Sequence, residues 1–195
     1  TEWAKRNVAL GMAQRPDLVA MAHGLTHEDR AGMKEVIDGA EEASGANARR
    51  RIGTALHSMA ERVDLGTLAL EDVPEANRAD VAAYAATINA ETIRMPSEYI
   101  ERICIIPRWT LAGTFDRIAW IGGVLYVADL KTGKRVDYAA AEIAMQLACY
   151  ANAETMYDLE TEQHEPMPPV NKERALVIHV PAGEGRCELH WVDIA

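Results

Sequence analysis

Two acids and a lysine in the second half of the chain, Asp116, Asp129 and Lys131, could together do metal chemistry. Residues 110–121 and 124–131 are rich in strand formers. The Gly122-Gly123 pair between them suits the positive φ angles of a two-residue hairpin turn. That turn sets Ile121 opposite Val124 and Asp116 opposite Asp129, and facing side chains have Cβ atoms about 4.5–5.5 Å apart. Ile118 opposite Val127 and Trp120 opposite Leu125 continue the face as core-like pairs, and Thr114 falls opposite Lys131. Strand alternation keeps Asp129 and Lys131 on one face and turns Leu130 away. Two facing carboxylates destabilise a sheet, more so when partly buried. A divalent cation between them removes the repulsion, and hard oxygen ligands suit Mg²⁺ or Mn²⁺. The alternative is another turn register, with both acids solvated at a strand end.

Two helical pairs could join this centre. His57 and Glu61 are four apart and share a helix face, as do Gln146 and Tyr150 on a later helix. Taken singly, His57 reads equally as a satisfied helix histidine, and Gln146 with Tyr150 as a helix–sheet contact. His57 and Glu61 could also be paired ligands of an unrelated metallohydrolase, although the second histidine of an HExxH motif is absent.

Taken in order, Gly53-x-x-x-His57, Gly113-x-x-Asp116, Asp129-Leu130-Lys131 and Gln146-x-x-x-Tyr150 resemble the RecB-type exonuclease branch of the PD-(D/E)XK nuclease superfamily. The resemblance covers residues 50–155. It implies a restriction-endonuclease-like core and hydrolysis of DNA phosphodiester bonds, as an exonuclease at DNA ends, in recombination or repair. It further implies that His57, Asp116, Asp129 and the main-chain carbonyl of Leu130 hold Mg²⁺ or Mn²⁺. Lys131 would position or help deprotonate the attacking water, and Gln146 and Tyr150 would contact the DNA strand. Asp116 follows Phe115 where the superfamily's name has proline, which the GxxD form allows. CRISPR-associated relatives use four cysteines for an iron–sulfur cluster; this chain has only Cys104, Cys149 and Cys187, so no cluster is expected. A degenerate, non-catalytic DNA-binding or assembly module is the rival, but every key position is filled here. Glu61, Glu98 and Glu101 are spare acids, read as surface residues or as further metal ligands.

The elements that must position these residues follow from periodicity. Thr26-His27-Glu28-Asp29 resembles a capping box opening a helix to about Ser44. Residues 48–64 and 74–93 continue as helices, and Gly45 and Gly66 act as stops. Strands are expected over 99–106, 110–121, 124–131, 174–180 and 186–192. A helix is expected over 138–158 and a polar, proline-containing loop over 163–170. The expectation is an α+β fold with a central mixed β-sheet flanked by helices. It forms one domain over residues 1–195, mainly helical to residue 95 and sheet-bearing from residue 98.

The chain has 195 residues and a net charge of −10, a surface that repels polyphosphate. DNA binding therefore needs bound cations, a local basic stretch (Arg49-Arg50-Arg51, or Lys131, Lys134 and Arg135), or help from a homo-oligomer or partner recombination protein. Solvated charge is the plain alternative for the arginine run. No apolar run approaches the roughly 20 residues of a membrane span. No secretion signal opens the chain, so a cytoplasmic setting is expected.

Overall fold

The computed structural model describes residues 2–195, the side chain of Tyr138 excepted. The chain divides into two compact units, Thr1–Thr54 and Ala55–Ala195. In the first, α1 (Glu2–Gln14), α2 (Pro16–His23) and α3 (Arg30–Ala43) enclose a small core of Leu18, Val36 and Ala40. A Cβ on Gly11 would lie 1.8 Å from the Ala40 carbonyl oxygen, so glycine is what lets α1 and α3 meet backbone to backbone. Helix α3 begins later than the expected capping box. Asp29 is its N-cap and accepts the Gly32 N–H at 2.9 Å, filling by itself the role assigned to Thr26. Helix α4 (Ala46–Asp64) crosses the division between the units.

The second unit carries the sheet. After α5 (Glu75–Ala90) come β1 (Ile100–Ile106), β2 (Leu111–Ile121), β3 (Val124–Lys131) and α6 (Ala140–Ala151). The chain ends with β4 (Thr155–Tyr157), β5 (His164–Pro166), β6 (Arg174–His179) and β7 (Glu188–Asp193). The order across the sheet is β5-β4-β1-β2-β3-β6-β7. Only the β3–β6 pair is parallel among the described residues, so the sheet is mixed. With six α-helices and seven strands among the described residues, the fold is α+β, as expected for a restriction-endonuclease-like core.

Each face of the sheet buries against helix. Ile118, Val127, Ala175 and Val177 pack with Ile143 and Leu147 of α6. Ala119, Ala128, Leu130, Leu176 and Ile178 pack on the other side with Ala60 of α4 and with Tyr84 and Ile88 of α5. Strands β3 and β6 are thus covered on both faces, which explains their nearly continuous apolar runs. Asp80 of α5 is 2% exposed and accepts N–H groups from Gly183 and Gly185, both at 2.7 Å, which fixes the β6–β7 connection from below.

The structure corrects three further expectations about the elements. The helix expected over 138–158 ends at Ala151, because residues 155–157 are drawn into the sheet beside β1 as β4. The expected loop over 163–170 contains β5, an exposed edge strand whose polar composition hid it. Trp120, read as core, is 42% exposed; it lies near the turn, where its backbone bonds Arg94.

Candidate metal centre

The hairpin forms in the expected register. Ile121 pairs with Val124, Trp120 with Leu125, Ile118 with Val127 and Arg117 with Ala128. Gly122 and Gly123 take φ angles of +57° and +89°, where a side chain would be strained. The ladder then stops, one pair short of Asp116 and Asp129. Leu130 donates its N–H to Asp116 Oδ2 at 2.8 Å, so a side chain bridges the strands where the backbone ladder has ended. The ladder therefore does not reach Thr114 and Lys131 either, and Thr114 pairs with Ile103 of β1 on its other side.

Asp129 and Lys131 share the α6 side of the sheet, and Leu130 points to the other, as alternation requires. Asp129 is 3% exposed. Lys131 Nζ lies 2.7 Å from Asp129 Oδ2, but off the direction of a hydrogen bond, so that oxygen is charge-paired without a donor. Burial, then repulsion from Asp116, pushes the Asp129 carboxyl up to about 6 against the pull of Lys131. Lys131 Nζ also reaches Gln146 Oε1 at 3.5 Å, and Gln146 Nε2 donates to the Tyr150 hydroxyl at 3.0 Å. Tyr150 in turn packs on Gly113, where a Cβ would meet its ring at 2.8 Å. The glycine of Gly113-x-x-Asp116 is thus explained by space for that ring.

From α4, His57 brings Nδ1 to 3.5 Å from Asp116 Oδ2. Burial holds its pKa below the ordinary histidine value. Asp116 opposes this, while Arg117 and Lys131 reinforce it, and the Leu130 main chain raises it slightly. The imidazole is therefore neutral near pH 7 and keeps a lone pair free to ligate. Leu130 contributes to the site through its backbone, although its side chain lies in the core.

Sequence reasoning underweighted Glu101 and missed Arg117. Glu101 occupies the position of β1 opposite Asp116, and the β1–β2 ladder skips that pair. Its φ of +49° is unusual for a non-glycine residue and carries backbone strain. Ligand atoms of His57, Glu101 and Asp116 all lie within 4.8 Å of one another. Although Glu101 is exposed overall, burial of its carboxyl and repulsion from Asp116, Glu61 and Asp129 push it up to about 7. Asp129 stands outside that trio, its charge engaged by Lys131.

Arg117 is fully buried behind the acids. Its Nε lies 3.1 Å from Asp64 Oδ2, and the Tyr84 hydroxyl reaches both Asp64 oxygens at 2.7 Å, yet no guanidinium nitrogen has a hydrogen bond of good geometry. Its charge lowers the proton affinity of Asp129 and Glu101. In sequence, Arg117 looks like an ordinary solvated strand charge, and no local signal distinguishes it.

The chemistry of this donor set fits a hard divalent cation. Glu101 and the buried Asp129, whose Oδ2 lacks a donor, both have raised pKa values that fall when positive charge is placed beside them, and the neutral His57 offers a lone pair. Two cavities of the same unit are lined by other residues, such as Leu56, Val81 and Val180 in one and Val63, Ile88 and Met95 in the other, and neither includes Asp116, Asp129 or Lys131. Of the basic stretches, Arg50 and Arg51 pair with Glu41 and Glu42, and Arg135 with Asp137, so those charges are already engaged. No family model matches the chain, and no curated protein matches it.

Proposed function

We propose that this chain is a Mg²⁺- or Mn²⁺-dependent deoxyribonuclease of the PD-(D/E)XK kind, acting as an exonuclease on DNA ends in recombination or repair. The observation that carries the reading is the parting of β2 and β3 at Asp116 and Asp129, with Lys131 seated on Asp129. His57, Asp116, Asp129 and the Leu130 carbonyl would hold the cation, and Glu101 adds a fifth donor beside His57 and Asp116. When bound, the cation polarises a water molecule and offsets the charge that grows on the phosphate.

The side chains supply the rest. Lys131 donates to the attacking water or to a phosphate oxygen, and its ammonium stabilises the developing negative charge. Asp129 holds that ammonium in place at 2.7 Å. Gln146 and Tyr150, linked to each other and to Lys131, present amide and hydroxyl groups to the strand beside the scissile phosphate. End specificity follows from the resemblance of the four motifs.

Digestion of linear, end-blocked and circular DNA with Mg²⁺ or Mn²⁺, with EDTA as control, tests the proposal. Loss of linear DNA alone supports exonuclease action, and cutting of circles would make the protein an endonuclease. Retention of DNA without cleavage would favour a binding module.

A further inference from the structure

A second cluster of metal-binding side chains lies on β6 and β7. His179 and Glu188 are directly paired across these strands, and His190 lies two residues further along the same face of β7. Their ligand atoms all fall within 4.8 Å of one another. His179 is 4% exposed. Its Nε2 is 2.7 Å from the carbonyl oxygen of Gly133, which can only accept, so Nε2 carries the proton and Nδ1 presents a lone pair in the neutral ring. That buried Nδ1 has no hydrogen-bond partner, and neither does His190 Nε2. Both nitrogens face Glu188 Oε2, at 3.8 and 3.5 Å. These separations are long for hydrogen bonds. They are close to the spacing of about 3.3–3.4 Å that ligand atoms adopt around a tetrahedral ion bound at about 2.0–2.1 Å.

We propose that His179, Glu188 and His190 form a second metal site, of the two-histidine, one-carboxylate kind that suits Zn²⁺. Arg186 engages the other oxygen of Glu188, which leaves Oε2 to the ion. The Gly133 carbonyl fixes the His179 tautomer, as outer partners of ligating histidines do. Three protein ligands leave one position for water. The parallel β3–β6 register sets His179 beside Lys131, so an ion here would pin the edge of the sheet and the backbone two residues past Lys131. This site does not depend on the hydrolytic reading.

The test is Zn²⁺ uptake by EDTA-stripped full-length protein, measured against a chromophoric chelator. An Asp116→Asn/Asp129→Asn background removes the first centre. One equivalent is expected there, together with a rise in Tm on Zn²⁺ addition. His190→Ala and Glu188→Gln, both at partly exposed positions, should keep the metal-free Tm. They should weaken uptake by more than about 100-fold, beyond what loss of an outer partner costs. No uptake by the background protein, or undiminished uptake by either variant, would overturn the proposal.

Discussion

Glu101 shows at the residue scale how strain and charge gather at the candidate centre. Its carboxyl titrates at about 7 in the folded chain against an ordinary value of 4.5. A carboxyl whose folded pKa is raised binds its proton more tightly when folded. The stability this gives is complete below the unfolded pKa and lost as pH rises through the folded one. Asp129, raised to about 6, acts in the same sense. Metal-free protein should therefore lose thermal stability between about pH 5 and 8, and Glu101→Gln should flatten that slope. Scanning calorimetry in EDTA at several pH values checks this. Glu101→Gly separates strain from charge: relieving the φ of +49° should leave the metal-free Tm equal or higher, while Mn²⁺ affinity by titration calorimetry falls. Asp116, Asp129 and Lys131 were legible because a double-glycine turn dictates their register. Glu101 and Arg117 were not, since their roles depend on β1 lying beside β2 and on α4 and α5 closing over Arg117, pairings that no local pattern encodes.

Among the elements, the β2–β3 hairpin, β1, α4 and α6 carry the candidate site. The hairpin turn and the register of its first five pairs were readable in the sequence, and β6 and α4 to within two residues at their ends. The point where the ladder ends was not, because it depends on the Asp116 side chain capturing the Leu130 N–H. Strands β4 and β5 escaped notice for a related reason: they are three-residue pieces, β5 at the sheet edge and β4 between it and β1, specified by their neighbours, not by their own periodicity. Gly113 links the hairpin to α6. Its substitution by alanine would push on the far end of the Tyr150 side chain, which can swing away at little cost in stability. Gly113→Ala should thus leave Tm nearly unchanged while lowering the cleavage rate, through loss of the Gln146–Tyr150 bond. Gly122→Ala should do the opposite. The turn forces a left-handed conformation on it, costing about 1–2 kcal/mol of unfolding free energy with little effect on rate per folded molecule.

For the molecule as a whole, a net charge of −10 means that the proposed DNA binding would require bound cations. Two arginines of the run in the first unit, Arg50 and Arg51, are paired locally with Glu41 and Glu42. Filter retention of DNA with Ca²⁺, another ion suited to oxygen ligands, should exceed retention in EDTA. It should also fall steeply between about 50 and 200 mM salt. Among the described residues, no helix is long and apolar enough to cross a membrane.

The most direct test of the centre is the initial rate of nucleotide release from linear duplex DNA with Mn²⁺, comparing wild type with Lys131→Ala. The account predicts a fall of about 10²–10³-fold, typical of removing one preorganised donor to developing charge, with Mn²⁺ still bound. Release by Lys131→Ala at the wild-type rate would contradict it.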